Sequence, residues 1–252
     1  MFFEGTRKTF IIFFTARSGS SWLMDLCRST GRLGRPGEIF NFAVKPHLKA
    51  MPLDSAVAMM VERNTHGGVF GAEVTWGHLQ DTFGGPEGLF EAFNHEARMI
   101  ILYREDIVAQ AVSAMRRVQT KVGHAFQKDP SLRESGGKDF HYDEEFLRNT
   151  VRHRFRNEMK FERVFTSYDI EPLRISYERS MANPLGAVNA IARHIEEPLF
   201  TAMPTSDRIM LRGSRSHAFA ERFRNENAEY VQGFQDRRTW LKMLATYDDV
   251  AA

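Results

Sequence analysis

The residues best suited to chemistry in this 252-residue chain are concentrated in one short stretch, Ala16-Arg17-Ser18-Gly19-Ser20-Ser21. It offers one glycine for close backbone approach, three hydroxyls and a guanidinium. The apolar run Thr9–Thr15 before it is rich in Phe and Ile and too short for a helix, so it reads as a strand. A helix begins near Ser20 or Ser21 and carries Trp22, Leu23, Leu26 and Cys27 on one side. A strand, small-residue turn and helix start directs free N–H groups, hydroxyls and a cation at one point, which suits a phosphate-like anion. The stretch lacks the first Gly and the Lys of the Walker A pattern, and it is not G-x-G-x-x-G either. A helix merely capped by serine would use the same residues.

A second cation stands just beyond another strand. Arg98–Tyr103, RMIILY, is the clearest central strand, an apolar run suited to a sheet covered on both faces. It leads into an amphipathic helix with Ile107, Val108, Ala111, Val112, Met115 and Val118 on one side. Arg104 follows the strand directly, and Ser113 lies about two and a half turns into the helix. Alone, Arg104 suits a surface ion pair with Glu105 or Asp106. With Arg17 and Ser113 it points to a nucleotide carrying two separated anionic groups.

The elements that must position these groups alternate between strand and helix. A turn-rich passage from Gly31 to Pro52 follows the first helix and is expected to lie over the sheet edge. Further helices are expected at about 54–64, 86–95, 143–167 and 184–195, with strands at 69–75 and 173–176. Residues 122–140 are rich in Gly, Lys and Ser and read as a lid or loop, and the tail from about 205 is irregular, then helical. This alternation predicts an α/β fold: a central parallel sheet flanked by helices, with extra helical segments. Ligands of such sheets sit beyond the carboxyl ends of the strands, where the Arg17 turn and Arg104 would meet.

Composition is consistent with a single domain over 1–252. Hydrophobic residues are 42% and charged residues 26%, enough to bury a core without disulfides or metals. The lone Cys27 excludes an internal disulfide and reads as a packed thiol, as expected in a reducing cytoplasm. A net charge of +2 with dispersed basic residues argues against a nucleic-acid surface. The run Phe10–Phe14 is too short for a signal h-region or a transmembrane segment.

TARSGSSWLMDLCRSTGRLGRPGEIF, then EVTWG, then YREDIVAQAVSAMRRVQT, resembles the sulfotransferases that use 3′-phosphoadenosine-5′-phosphosulfate (PAPS). More narrowly it resembles the bacterial Stf0-type trehalose or carbohydrate sulfotransferase family. The likeness implies a P-loop-like fold in which Arg17, Ser18, Gly19, Ser20 and Ser21, with Trp22 beside them, hold the 5′-phosphosulfate. Arg104 and Ser113 would hold the 3′-phosphate. Arg17 stands where many sulfotransferases carry Lys and carbohydrate-acting ones often Arg, which favours a sugar or glycolipid acceptor. Arg212 and Gly213 resemble the element that closes the C-terminal tail on the nucleotide, although the usual Lys before Gly is missing. Glu38, in Arg35-Pro36-Gly37-Glu38-Ile39-Phe40, matches the family segment that carries the general base, with Ile following Glu38.

For Glu38 the alternative is a loop carboxylate paired with Arg35 or Arg32, and His78 is a competing base. Trp76 is either core or acceptor platform. The resemblance implies no metal and is compatible with a homodimer. Two other classes stay open at this level: a kinase or NTPase of related fold, and a non-catalytic binding protein.

Overall fold

In the computed structural model, residues 5–122, 125–126, 140–209 and 213–247 are described. The central sheet contains β1 (Lys8–Phe14), β2 (Val69–Val74), β3 (Arg98–Tyr103) and β5 (Leu173–Ser176), all parallel in the order β2-β1-β3-β5. A separate antiparallel pair joins β4 (Ala125–Phe126) to β6 (Arg208–Ile209). The helices are α1 (Ser20–Ser29), α2 (Pro46–Lys49), α3 (Leu53–Asn64), α4 (Trp76–Phe83), α5 (Pro86–Ala92) and α6 (Ile107–Thr120). They continue with α7 (Glu144–Ser167), α8 (Tyr177–Ala182), α9 (Pro184–His194), α10 (Ser214–Glu226) and α11 (Ala228–Gln235). The predicted α/β architecture with a P-loop-like parallel sheet is therefore the observed one. No helix among the described residues is long and apolar enough to cross a membrane.

β1 explains the two-layer core. Its side chains alternate, so Ile11 and Phe13 enter the layer with α6 and α7 while Phe10, Ile12 and Phe14 enter the layer with α1 and α9. Phe13 meets Phe161 and Phe165 edge-on, with centroids 5.3 and 5.1 Å away. On the other face Cys27 is fully buried, and burial pushes its thiol up to about 12, as a packed thiol requires. The passage Gly31 to Pro52 does lie over the sheet edge. Gly34 has φ 68°, and a Cβ there would stand 2.6 Å from the Val69 carbonyl oxygen of edge strand β2.

α4 and α8 are among the elements that were invisible in the sequence. α4 starts at Trp76 because Thr75 caps it, and His78 completes the capping box in place of the usual Glu or Gln. α8 follows β5 without a loop, since Ser176 ends the strand and caps the helix with the same residue. Val118 differs from expectation: it lies on the apolar side of α6 by period yet is 62% exposed among the described residues.

Candidate active site

The turn after β1 is built to leave donors unused. Gly19, not a serine, is the N-cap of α1, with φ 89° and no side-chain cap. This removes the reading of Ser20 and Ser21 as mere caps: both sit in the first helical turn and line a cavity. The first amides of a helix have no acceptor within it, so they face whatever fills that cavity. Arg17 adopts φ 70°, rare for a residue with a side chain, and its carbonyl accepts from Arg104 Nη1 at 3.0 Å. Tyr177 closes the other side of Gly19, where an added Cβ would stand 2.2 Å from the ring. Gly19→Ala is therefore expected to lower thermal stability and abolish anion binding by the turn. Unchanged melting and unchanged nucleotide titration would refute the close-packing argument.

The strand ends bring Arg17 and Arg104 into one site. Phe14 of β1 pairs with Leu102 of β3, so the two turns emerge side by side. Arg17 Nε donates to Ser113 Oγ at 3.1 Å, joining the two groups that were expected to hold separate anions. Gln110 of α6 anchors the turn from behind, its Nε2 donating to Thr15 Oγ1 at 2.8 Å and to the Ala16 carbonyl at 3.0 Å. Arg104 is buried, lies 3.7 Å from a Glu178 oxygen and stacks at 4.8 Å on the Tyr177 ring. Glu178 is thus a partner that the sequence did not offer, the Arg104 charge also favours the ionised Asp106, and Glu105 lies 3.6 Å from Arg179. Arg238, wholly buried, donates to the Arg104 carbonyl at 2.6 Å and the Glu105 carbonyl at 2.7 Å while pairing with Glu158.

The cavity at this junction has a volume of about 680 Å³. Arg17, Arg104, Arg116, Arg117, Arg208 and Arg224 line it against the carboxylates Glu38, Asp106 and Glu221, a net charge of +3. Burial pushes the Arg17 guanidinium down from its ordinary value, and Arg104, Arg117, Arg116 and Arg154 push the same way. So many mutually repelling guanidiniums at one place suit a polyanion. The C-terminal tail closes one side: Arg224 of α10 binds both Asp106 oxygens at 2.7 Å. Ser216, His217 and Ala220 of α10 also line the cavity.

Glu38 stands at the same cavity. Burial raises its carboxyl above the usual value, and Lys45 opposes that shift. Its neighbours are Lys45 and His78, whose Nε2 is 3.6 Å from Oε2, rather than Arg32 or Arg35. Arg32 instead stacks on Phe200 and donates to the carbonyls of Pro198 and Leu199. His78 is held neutral by burial, and its Nδ1 accepts the Thr75 amide at 3.3 Å. A neutral imidazole accepting at Nδ1 carries its proton on Nε2, the atom that faces Glu38. The protonated Nε2 of His78 therefore faces the Glu38 carboxylate across 3.6 Å.

The other expected residues divide. Trp22 lines the cavity and meets Tyr177 edge-on at 6.1 Å. Ser18 is fully buried beneath the turn, its amide bonded to the Thr15 carbonyl at 3.2 Å, and does not line the cavity. Trp76 packs on Phe161 beneath Lys160 and is also absent from the lining. Gly213 is the N-cap of α10 outside the lining, while Arg212 and most of 122–140 fall outside the described residues. Sequence reasoning missed Gln110, Tyr177, Glu178 and Arg238. Tyr177 and Glu178 begin a helix that directly follows β5, and that strand end was the available signal.

Similar proteins agree with this architecture. A trehalose 2-sulfotransferase of Mycolicibacterium smegmatis is 22% identical, the alignment covering 86% of this chain and 94% of that protein. One of Mycobacterium tuberculosis is 24% identical over 87% and 95%. The crystal structure of a sulfotransferase from Alicyclobacillus acidocaldarius shares the fold with a TM-score of 0.51 at 15% identity, covering 91% of this chain and 96% of that one. The Stf0 sulphotransferase family model matches residues 9–226, and with the strand, turn and helix core all inside that span, the chain belongs to the Stf0 sulphotransferase family.

Proposed function

We propose that this sulfotransferase moves a sulfuryl group from PAPS to a hydroxyl of a carbohydrate or glycolipid acceptor, with Glu38 as general base. The observation that carries the reading is a single cavity holding the Arg17 turn, Arg104, Arg116, Arg117 and, at the same lining, Glu38. The guanidinium cluster fits a donor with several anionic groups, and the related trehalose 2-sulfotransferases support a sugar acceptor.

In this mechanism Glu38 takes the proton of the acceptor hydroxyl as that oxygen attacks sulfur in line. His78 keeps the carboxylate turned toward the cavity. Arg17 and the Ser20 and Ser21 amides stabilise charge on the sulfuryl oxygens and on the departing 5′-phosphate. Arg104, Ser113 and Arg116 hold the nucleotide's second phosphate. By analogy with phosphoryl transfer, positioning and charge stabilisation supply most of the rate.

Two measurements test the reading. In thermal-shift titrations 3′,5′-ADP should stabilise the protein more than ADP or ATP with Mg²⁺; preference for ATP would move it to the kinase class. A transfer assay with labelled PAPS over a sugar panel should give a sulfated product, and inertness throughout would favour a binding role. Arg17→Ala should lower turnover by about 10²–10³-fold, as loss of one anion-stabilising donor does, while far-UV circular dichroism stays unchanged.

A further inference from the structure

Glu73 is a carboxyl that the proposed reaction leaves unused, in a place where a carboxyl is costly. It lies on β2, 3% exposed, within a strand whose other residues are Val, Phe, Gly, Ala and Val. Its Oε2 has no hydrogen-bond partner among the described residues. Its amide donates to the Gly37 carbonyl at 3.0 Å, which ties it to the loop of Glu38, and its side chain hydrogen-bonds with Ser20 at the start of α1.

The groups facing it do not make it a comfortable anion. Glu38 approaches from the loop and repels a negative charge there. Arg28 of α1 and Arg208 of β6 attract one, but Arg28 donates to Asp25 at 3.2 Å and Arg208 to the same carboxylate at 2.6 Å. Cys27, the remaining titratable neighbour on α1, is a buried neutral thiol. Burial and the Glu38 charge raise the Glu73 carboxyl to about 8.

We propose that Glu73 is a positioning residue which stays a neutral acid beneath the turn, orients the Ser20 hydroxyl toward the donor, and keeps a second negative charge away from the anion site. The inference rests on the donor reading given above. A protonated Glu73 can donate to Ser20 Oγ, which frees the Ser20 O–H to point at an anionic oxygen in the cavity. An ionised Glu73 would instead draw that O–H inward and repel the anion. Donor binding and a proton on Glu73 are then linked, each favouring the other.

The test uses 3′,5′-ADP as probe in calorimetric titrations from about pH 7 to about pH 9.5. Wild-type affinity should weaken by up to about tenfold per pH unit above about 8, the limit for one linked proton. Glu73→Gln, neutral at every pH and similar in shape, should bind as the wild type does near neutrality and lose the alkaline fall. Glu73→Met should flatten the profile too and serves if the Gln variant does not fold. A wild-type profile without an alkaline fall, or the same fall in a folded Glu73 variant, overturns the proposal. In infrared spectra the wild type should show a protonated carboxyl band that Glu73→Gln lacks and that titrates away near pH 8. Absence of that band at neutral pH also overturns it. Failure of 3′,5′-ADP to bind at any pH would instead defeat the donor reading, and the infrared titration would still decide the state of Glu73.

Discussion

Glu38→Gln is expected to reduce kcat by about 10²–10⁴-fold, the usual contribution of a positioned base, or about 3–5 kcal/mol in the barrier. The amide keeps the shape of the carboxylate but cannot take a proton. Binding of 3′,5′-ADP should be unaffected, because the guanidinium cluster that suits that ligand is untouched. The pH profile carries a second signature. A base works ionised, so activity rises with pH through its titration, and burial places that limb above the ordinary glutamate range. His78→Ala removes an Nε2–H that faces the carboxylate and should move the limb to still higher pH. Full turnover in purified Glu38→Gln would take Glu38 out of the base role.

Arg238→Ala should cost about 3–5 kcal/mol of stability, because it strands Glu158 in the core. The Arg238 guanidinium meets both Glu158 oxygens at 2.9 and 3.0 Å, and Trp240 Nε1 donates to the same carboxylate at 3.3 Å. Burial drives Glu158 up and the Arg238 charge holds it down, so without Arg238 the carboxyl must take a proton or draw in water. At about 2–4 °C per kcal/mol for a chain of this size, the melting temperature should fall by roughly 6–20 °C. Arg238→Met combined with Glu158→Leu should restore much of that stability, since a packed apolar pair replaces a buried ion pair without loss. It should not restore activity, because the Arg104 and Glu105 carbonyls lose their donor. A stable double variant with wild-type turnover would show that Arg238 only stabilises the core and does not place Arg104.

What the sequence made legible, and what it concealed, follows the kind of signal each residue carries. β1, β3 and α6 were readable because apolar period and length are local properties, and the turn at Arg17 was readable because its small residues are contiguous. Arg238 was not: in Gln-Asp-Arg-Arg-Thr-Trp a charged residue reads as solvated surface, and only the fold buries it against Glu158. Glu73 did leave a trace, a carboxylate inside an otherwise apolar strand. The Arg17 turn and the Arg104 and Ser113 pair were expected side by side at neighbouring strand ends, with separate roles implied by the family resemblance. The parallel pairing of β1 with β3 brings Arg17 and Ser113 within a hydrogen bond.

That pairing also sets a timetable for the newly made chain. Lys8 of β1 waits for Val69, Phe10 for Arg98, and Ile100 for Leu173, so no strand of the central sheet finds its neighbour by a hairpin. Arg238 follows Arg104 by 134 residues. At about 5–20 residues per second on the ribosome, that gap is roughly 7–27 s. Throughout it the carbonyls beyond β3 lack their partner, and the Glu158 carboxylate lacks its own over the last 80 residues. The turn at Arg17 is therefore made long before the buried cation that secures Arg104.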